Sequence, residues 1–245
     1  MGRKFVLIDT SAVLGYYVPE AATNQDAARR IKTIFEAVRN HRTDVHLLIP
    51  NLVVAEVFCQ LARLCYSTWD RQVNRTFGGQ GKALDTRRYK SARDRFRRDI
   101  HNGALLYQVD LGRYHILALD LVAPVDKYRK FYRSTNTKSM ATDDLLIGSM
   151  AMHMVKMHGK DHFALLANDR RMAAIFSRAS PNLNANTAKA LGLTAKSEEL
   201  GFGTWCPEIY PNVLDLARCS EQALLDFFGE WPLPTGKLRN KKPKA

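Results

Sequence analysis

The chain has 245 residues, with 37 Lys and Arg against 24 Asp and Glu, and a formal charge of +13 at neutral pH. Its hydrophobic set reaches 46%, which excludes a disordered tail protein and allows a real core. No run of about 18 apolar residues occurs, so no membrane span is expected.

The Phe5-Val6-Leu7-Ile8 run is too short for a signal-peptide core, which needs about 7–15 residues. Cys59, Cys65, Cys206 and Cys219 form no CxxC pair and no zinc spacing, so a reducing cytoplasm is the expected address. The charge is segregated. Residues 71–133 hold 15 Lys and Arg against 6 Asp and Glu, and residues 232–245 hold five bases and no acid. A near-neutral body with a basic middle and a basic end points to a polyanionic partner, nucleic acid first.

In chain order, Phe5 to Ile8 reads as a buried strand that stops at Asp9. Ala27, Ala28, Ile31, Ile34, Phe35 and Val38 recur at helical spacing, with Thr23 or Asn24 as the cap. Val45 to Ile49 reads as a second strand ended by Pro50, and Asn51 can cap a helix through Val54, Phe58, Leu61 and Cys65. Residues 67–84 read as a loop, in which Gly81-Lys82 fails as a phosphate loop because Ala83 replaces the Ser or Thr. Residues 86–101 form the most basic helix, with Tyr89, Ala92, Phe96 and Ile100 as a narrow apolar stripe.

Residues 104–109 and 115–122 read as strands or buried connectors, and 123–132 as a short helix. A helix from Thr142 to about His158, stopped by Gly159, precedes a strand over 162–167 and a short helix over 170–177. A last strand over 208–214 and a helix capped by Ser220 close the pattern. Alternating strands and helices imply an α/β fold with a parallel sheet.

Four acids fall where such a sheet puts its ligands, beyond the carboxyl ends of strands. Asp9 ends the first strand, Glu56 is in the helix after Pro50, Asp144 is in the first turn of its helix, and Asp169 follows the strand ending at Ala167. Singly, each has an ordinary structural use as a cap, turn or surface charge. His153, His158 and His162 straddle Gly159 and read as surface or core histidines, and Met150, Met152, Met154 and Met157 as core and face residues of one helix.

The contexts Val6-Leu7-Ile8-Asp9-Thr10-Ser11-Ala12-Val13, Pro50-Asn51-Leu52-Val53-Val54-Ala55-Glu56, Asp144-Leu145-Leu146-Ile147 and Leu165-Leu166-Ala167-Asn168-Asp169 form an ordered series. The series resembles the PIN-domain nucleases, including the toxin ribonucleases of VapC type, over residues 4–66 and 140–177. Ala167 stands where that family carries Thr or Ser, and Asp143 competes with Asp144, which the Asp-x-Leu-Ile register favours. The resemblance implies a three-layer α/β/α fold with a central, mostly parallel sheet. Residues 1–231 would form one domain with a largely helical basic insertion at 67–139, and 232–245 a flexible basic tail.

Converging carboxylates repel, and a hard divalent cation, Mg2+ or Mn2+, relieves the conflict with oxygen ligands alone. The resemblance implies a metal-dependent endoribonuclease. Asp9 and Asp144 would be the main metal ligands, Asp169 a ligand directly or through water, and Glu56 the group positioning the water or a second metal. Thr10, Ser11, Asp143 and Asn168 would support them through hydrogen bonds.

It also implies RNA ahead of DNA as substrate, an antitoxin partner if the chain is a toxin, and dimerisation as a common state. A structure-specific DNA nuclease and a binding module with little activity are the alternatives. The basic helix, through Arg87, Arg88, Lys90, Arg93, Arg95, Arg97 and Arg98, would hold the phosphate backbone. Tyr89, Tyr107, Tyr114, Tyr128 and Tyr132 are candidates for stacking on unpaired bases, whereas Phe96 and Phe131 suit packing.

Overall fold

Short apolar runs become the centre of the molecule because each can be buried on both faces of a sheet. In the computed structural model these are β1 (Lys4–Ile8), β2 (Val45–Pro50) and β4 (Phe163–Ala167), and the more polar, partly exposed β3 (Leu106–Val109) and β5 (Asn212–Asp215) form the two edges. The structure describes residues 2–74, 84–101, 103, 105–127, 139–168, 171–176 and 183–236, with only the helix path for 66–74. All ladders are parallel, in the order β3-β2-β1-β4-β5.

The helices are α1 (Thr10–Tyr17), α2 (Gln25–Arg39), α3 (Asn51–Asn74), α4 (Thr86–His101), α5 (Arg113–Leu117), α6 (Leu119–Lys127) and α7 (Thr142–His158). They continue as α8 (171–176), α9 (Ala185–Ala190), α10 (Leu193–Glu199) and α11 (Glu221–Phe228). The chain moves one way from β1 to β3 and the other way from β3 to β5. Right-handed crossovers then put α1–α4 on one face and α5–α8 on the other, which gives the three layers. Val6, Leu7 and Ile8 of β1 and all of β4 are buried, so the core is centred on these two strands.

Local chemistry fixes the helix ends. Asn24 accepts from Ala27 N at 2.9 Å and Ser220 from Ala223 N at 3.1 Å, and Gly159 ends α7 with φ of 81°. At Gly148 the helix backbone comes so close to α8 that a Cβ would lie 2.7 Å from Phe176 Cζ.

Several expectations are corrected. Residues 67–74 continue α3 and are not loop, while 75–83 lie outside the described residues. Residues 115–122 are helical, because His115, Ala118, Leu121, Val122 and Val125 bury at spacings of three and four. Helix α1, directly after Asp9, was not anticipated. In its described residues the mid-chain stretch is largely helical but also supplies β3, the sheet's edge strand, so it is built into the sheet.

The segment expected to be flexible from Pro232 is pinned as far as Gly236. Leu233 is buried and Thr235 O accepts from Asn40 Nδ2 at 2.7 Å. The basic residues 237–245 lie outside the described residues.

The basic helix α4 is fastened by one buried acid. Asp99, 6% exposed, accepts from the Tyr17 hydroxyl at 2.7 Å and from Arg39 at 2.5 Å. Phe96 packs beside it against Tyr17 and Phe58. Removing Asp99 leaves the buried Tyr17 hydroxyl without its acceptor and Arg39 without its counter-charge. Asp99→Ala is therefore expected to cost about 2–3 kcal/mol in chemical denaturation. A loss within error of zero would show that Asp99 does not fasten α4.

Candidate active site

The strand order reverses direction at β1, whose neighbours β2 and β4 lead to opposite sides of the sheet. Open parallel sheets leave a crevice at this switch point, beyond the carboxyl ends of the strands. Asp9 follows β1 there and Asn168 follows β4.

Asp9 is 7% exposed and serves as the N-cap of α1. Its Oδ2 accepts from the Ser11 hydroxyl at 2.8 Å and from Ser11 N at 3.4 Å. The Ser11 oxygen in turn accepts from Asn168 N at 3.1 Å, which bridges the crevice. On the other side, the Thr10 hydroxyl donates to Glu56 Oε2 at 2.5 Å. Asp9, Thr10, Ser11, Glu56 and Asn168 thus form one connected group.

Burial pushes the Asp9 carboxyl above its ordinary range, and the nearby Glu56 charge adds to the rise, against the lowering effect of the Ser11 and Thr10 hydrogen bonds.

Asp144 reaches the same edge through helix direction. His158, in the last turn of α7, stacks on Phe5 near the start of β1, with ring centroids 3.8 Å apart. Asp144 lies fourteen residues earlier, about 21 Å along the helix at 1.5 Å per residue. It therefore stands at the end where β1 runs out into Asp9. Asp144 is half-buried and its Oδ2 accepts from Ala141 N at 3.3 Å, whereas Asp143 is exposed. Asp126 secures the approach to α7, accepting from Met140 N at 3.2 Å. Asp169 lies outside the described residues.

Among the described residues, no group of three His, Cys, Asp or Glu side chains is gathered for a metal. Mg2+ does not require one, since it commonly binds through one or two carboxylates and completes its shell with water and substrate phosphate. The donors present are oxygens, and the enclosed Asp9 carboxylate beside Glu56 is a negative site that a hard cation would relieve. The chemistry of the donor set fits such an ion.

Other predicted residues divide. Arg88 pairs with Glu20 at 2.7 Å and Arg93 with Asp94 at 2.8 Å, while Arg95 donates to the Tyr16 hydroxyl and lies over the Tyr16 ring at 4.4 Å. Arg88 and Arg95 spend their charge on contacts that fasten α4 to Glu20 and Tyr16, and Arg93 pairs with Asp94 within α4 itself. Arg87, Lys90, Arg97 and Arg98 are exposed and make no ion pair or side-chain hydrogen bond among the described residues.

Phe96 is buried, Tyr107 and Tyr114 are exposed, and Tyr128, Phe131 and Tyr132 lie outside the described residues. His153 sits 3.2 Å from His115, with both rings held toward the neutral form by burial. Of the methionines, Met150, Met152 and Met154 are buried and Met157 is exposed. No helix among the described residues is long and apolar enough to cross a membrane.

Gln60, which the sequence did not single out, lines a pocket together with Ser11 and Asn168. It lies one turn after Glu56 on α3, and that four-residue spacing was the available signal.

The raised Asp9 carboxyl has a consequence for stability. The folded chain holds this proton more tightly than the unfolded chain, so stability falls as pH rises above the ordinary value of 3.8. The loss is complete once pH passes the raised folded value. Asp9→Asn keeps an acceptor and a capping residue but carries no charge. In EDTA at pH 7 it is expected to melt above the native chain, and the gap is expected to close as pH falls toward 3.8. A lower melting temperature for Asp9→Asn at pH 7 would contradict the burial penalty.

No protein-family model matches this chain, and comparison with curated proteins and with solved structures finds no match either.

Proposed function

We propose that this chain is a metal-dependent endoribonuclease of the PIN type. The observation that carries the reading is the enclosed Asp9 carboxylate at the switch point, linked through Ser11 to Asn168 and set beside the Thr10–Glu56 pair. An inward carboxylate with a second acid beside it is costly to the fold, and perturbed acids of this kind cluster at functional sites. The ordered motifs around Asp9, Glu56, Asp144 and Asp169 supply the family, and the basic middle of the chain supplies the polyanionic substrate.

Asp9 and Asp144 would hold Mg2+ or Mn2+, with Asp169 as a third ligand directly or through water. The ion would supply charge stabilisation at the phosphodiester and a more acidic water. Thr10 fixes one oxygen of Glu56, which leaves the other to take a proton from the attacking water. The water oxygen bonds to phosphorus as the bond to the leaving ribose oxygen breaks, and that oxygen takes up a proton from solvent. Ser11 holds the Asp9 carboxylate in one orientation. Arg87, Lys90, Arg97 and Arg98 hold the strand by its phosphates.

Cleavage of unstructured RNA and DNA oligonucleotides, with Mg2+, Mn2+ or EDTA, tests this. RNA is expected to be cut with either ion and spared in EDTA. Asp9→Asn and Glu56→Gln are each expected to lose about 100-fold or more in rate. Retained activity in Asp9→Asn, or in EDTA, would falsify the mechanism, and a preference for DNA would move the substrate to the alternative reading.

A second measurement addresses the basic helix. The paired change Arg97→Gln and Arg98→Gln is expected to weaken strand binding and to flatten its salt dependence. The slope of log affinity against log salt is expected to drop by roughly 0.7 for each phosphate of the single strand that is no longer neutralised. An unchanged slope would remove α4 from the binding surface.

A further inference from the structure

We infer that a pocket adjoining the carboxylates receives one unpaired nucleobase of the bound strand, next to the bond that is cut. The inference rests on the nuclease reading and extends it to base recognition. The pocket, of about 210 Å³, lies between α1, the start of α2, and α3. Ser11 and Asn168, the residues joined to Asp9, belong to its lining, so it opens directly beside the candidate active site.

Its walls include Ala22, Ala28 and Ile31, which offer apolar surface to the flat faces of a ring. Gln60 lines the α3 side, one turn beyond Glu56.

The chemistry of this lining selects its occupant. Among the described residues no Lys, Arg, Asp or Glu contributes to it, and this neutral lining suits neither a phosphate nor a cation. The polar groups are neutral hydroxyls and amides, which suit the donor and acceptor edge of an uncharged heterocycle. The side-chain amides of Gln60 and Asn168 make no hydrogen bond among the described residues, and each offers both a donor and an acceptor.

The volume is below the roughly 300 Å³ at which pockets for drug-sized ligands begin, so it accommodates one ring system and not a whole nucleotide. Sequence-specific recognition of RNA works in this way, on bases splayed out of the strand and read at their edges.

The test uses the native chain in EDTA, with single-stranded hexanucleotides carrying the fluorescent base 2-aminopurine at each position in turn. One position is expected to change its emission strongly on binding, and the others little. Ala22→Phe, which fills a half-buried wall position, is expected to abolish that response. Gln60→Leu is expected to lower the affinity of the preferred strand about five- to tenfold, the scale of one hydrogen bond. Thermal melting checks that both variants fold, and the milder Gln60→Leu carries the test if Ala22→Phe does not.

Equal responses at every position overturn the inference. So does strand affinity unchanged in the folded variants, the result if the pocket takes a protein side chain instead. A chain that gives either result and still cuts RNA with Mg2+ refutes the pocket alone. One that neither binds nor cuts refutes the nuclease reading as well.

Discussion

An ionisable carboxyl group enclosed at the end of a central strand is the constraint around which this molecule is arranged. Asp9 cannot leave the crevice, because its backbone N donates to Leu166 O at 3.0 Å and its side chain caps α1. The start of α1 offsets part of the burial cost through the positive end of the helix dipole and the Ser11 hydrogen bonds. Glu56 works in the opposite sense, since its charge makes ionised Asp9 harder to keep. Stability alone would not select a second acid there. That supports the metal-binding reading proposed above over a capping motif with a neighbour.

Parallel topology explains why the other groups gather at the same edge. Each helix that follows a strand begins beyond the carboxyl end of the sheet, so α1 and α3 both start there. Helix α7 precedes β4 and runs back across the sheet, as the His158–Phe5 stack requires, so its first turn also points to that edge. Three helix N-termini and their orphan N–H groups therefore face the region where the carboxylates stand. The edge combines acids that suit a cation with amide donors that suit a phosphate. A phosphodiester bridged to a protein by a divalent ion presents both demands at once.

Much of this was legible in the sequence, for identifiable reasons. β1, β2 and β4 are short apolar runs bounded by Asp9, Pro50 and Asn168, and such runs admit few other placements. The caps at Asn24, Gly159 and Ser220 were visible because their chemistry is local. Helix α1 was hidden because Asp9-Thr10-Ser11 is equally good turn chemistry, and only the docking of its apolar face on α2 and α3 decides. The stretch 115–122 is apolar enough to suit a strand, and its helical burial pattern emerges only through tertiary packing. The site divides similarly. Asp9, Glu56 and Asn168 could be placed at one edge by counting elements. The Ser11–Asn168 bridge and the pocket beyond it depend on the third dimension.

The distribution of positive charge then follows from what holds α4 in place. A bare acidic crevice repels a polyanion at the distances where approach begins, and a basic surface nearby reverses that field. Asp99 ties α4 to Tyr17 and Arg39, while Arg95 grips Tyr16 and Arg88 grips Glu20. The bases engaged in this way set the helix's position, and Arg87, Lys90, Arg97 and Arg98 stay exposed. Under the nuclease reading proposed above, counting charges overstates the surface open to a strand, because Arg95 and Arg88 are engaged with Tyr16 and Glu20.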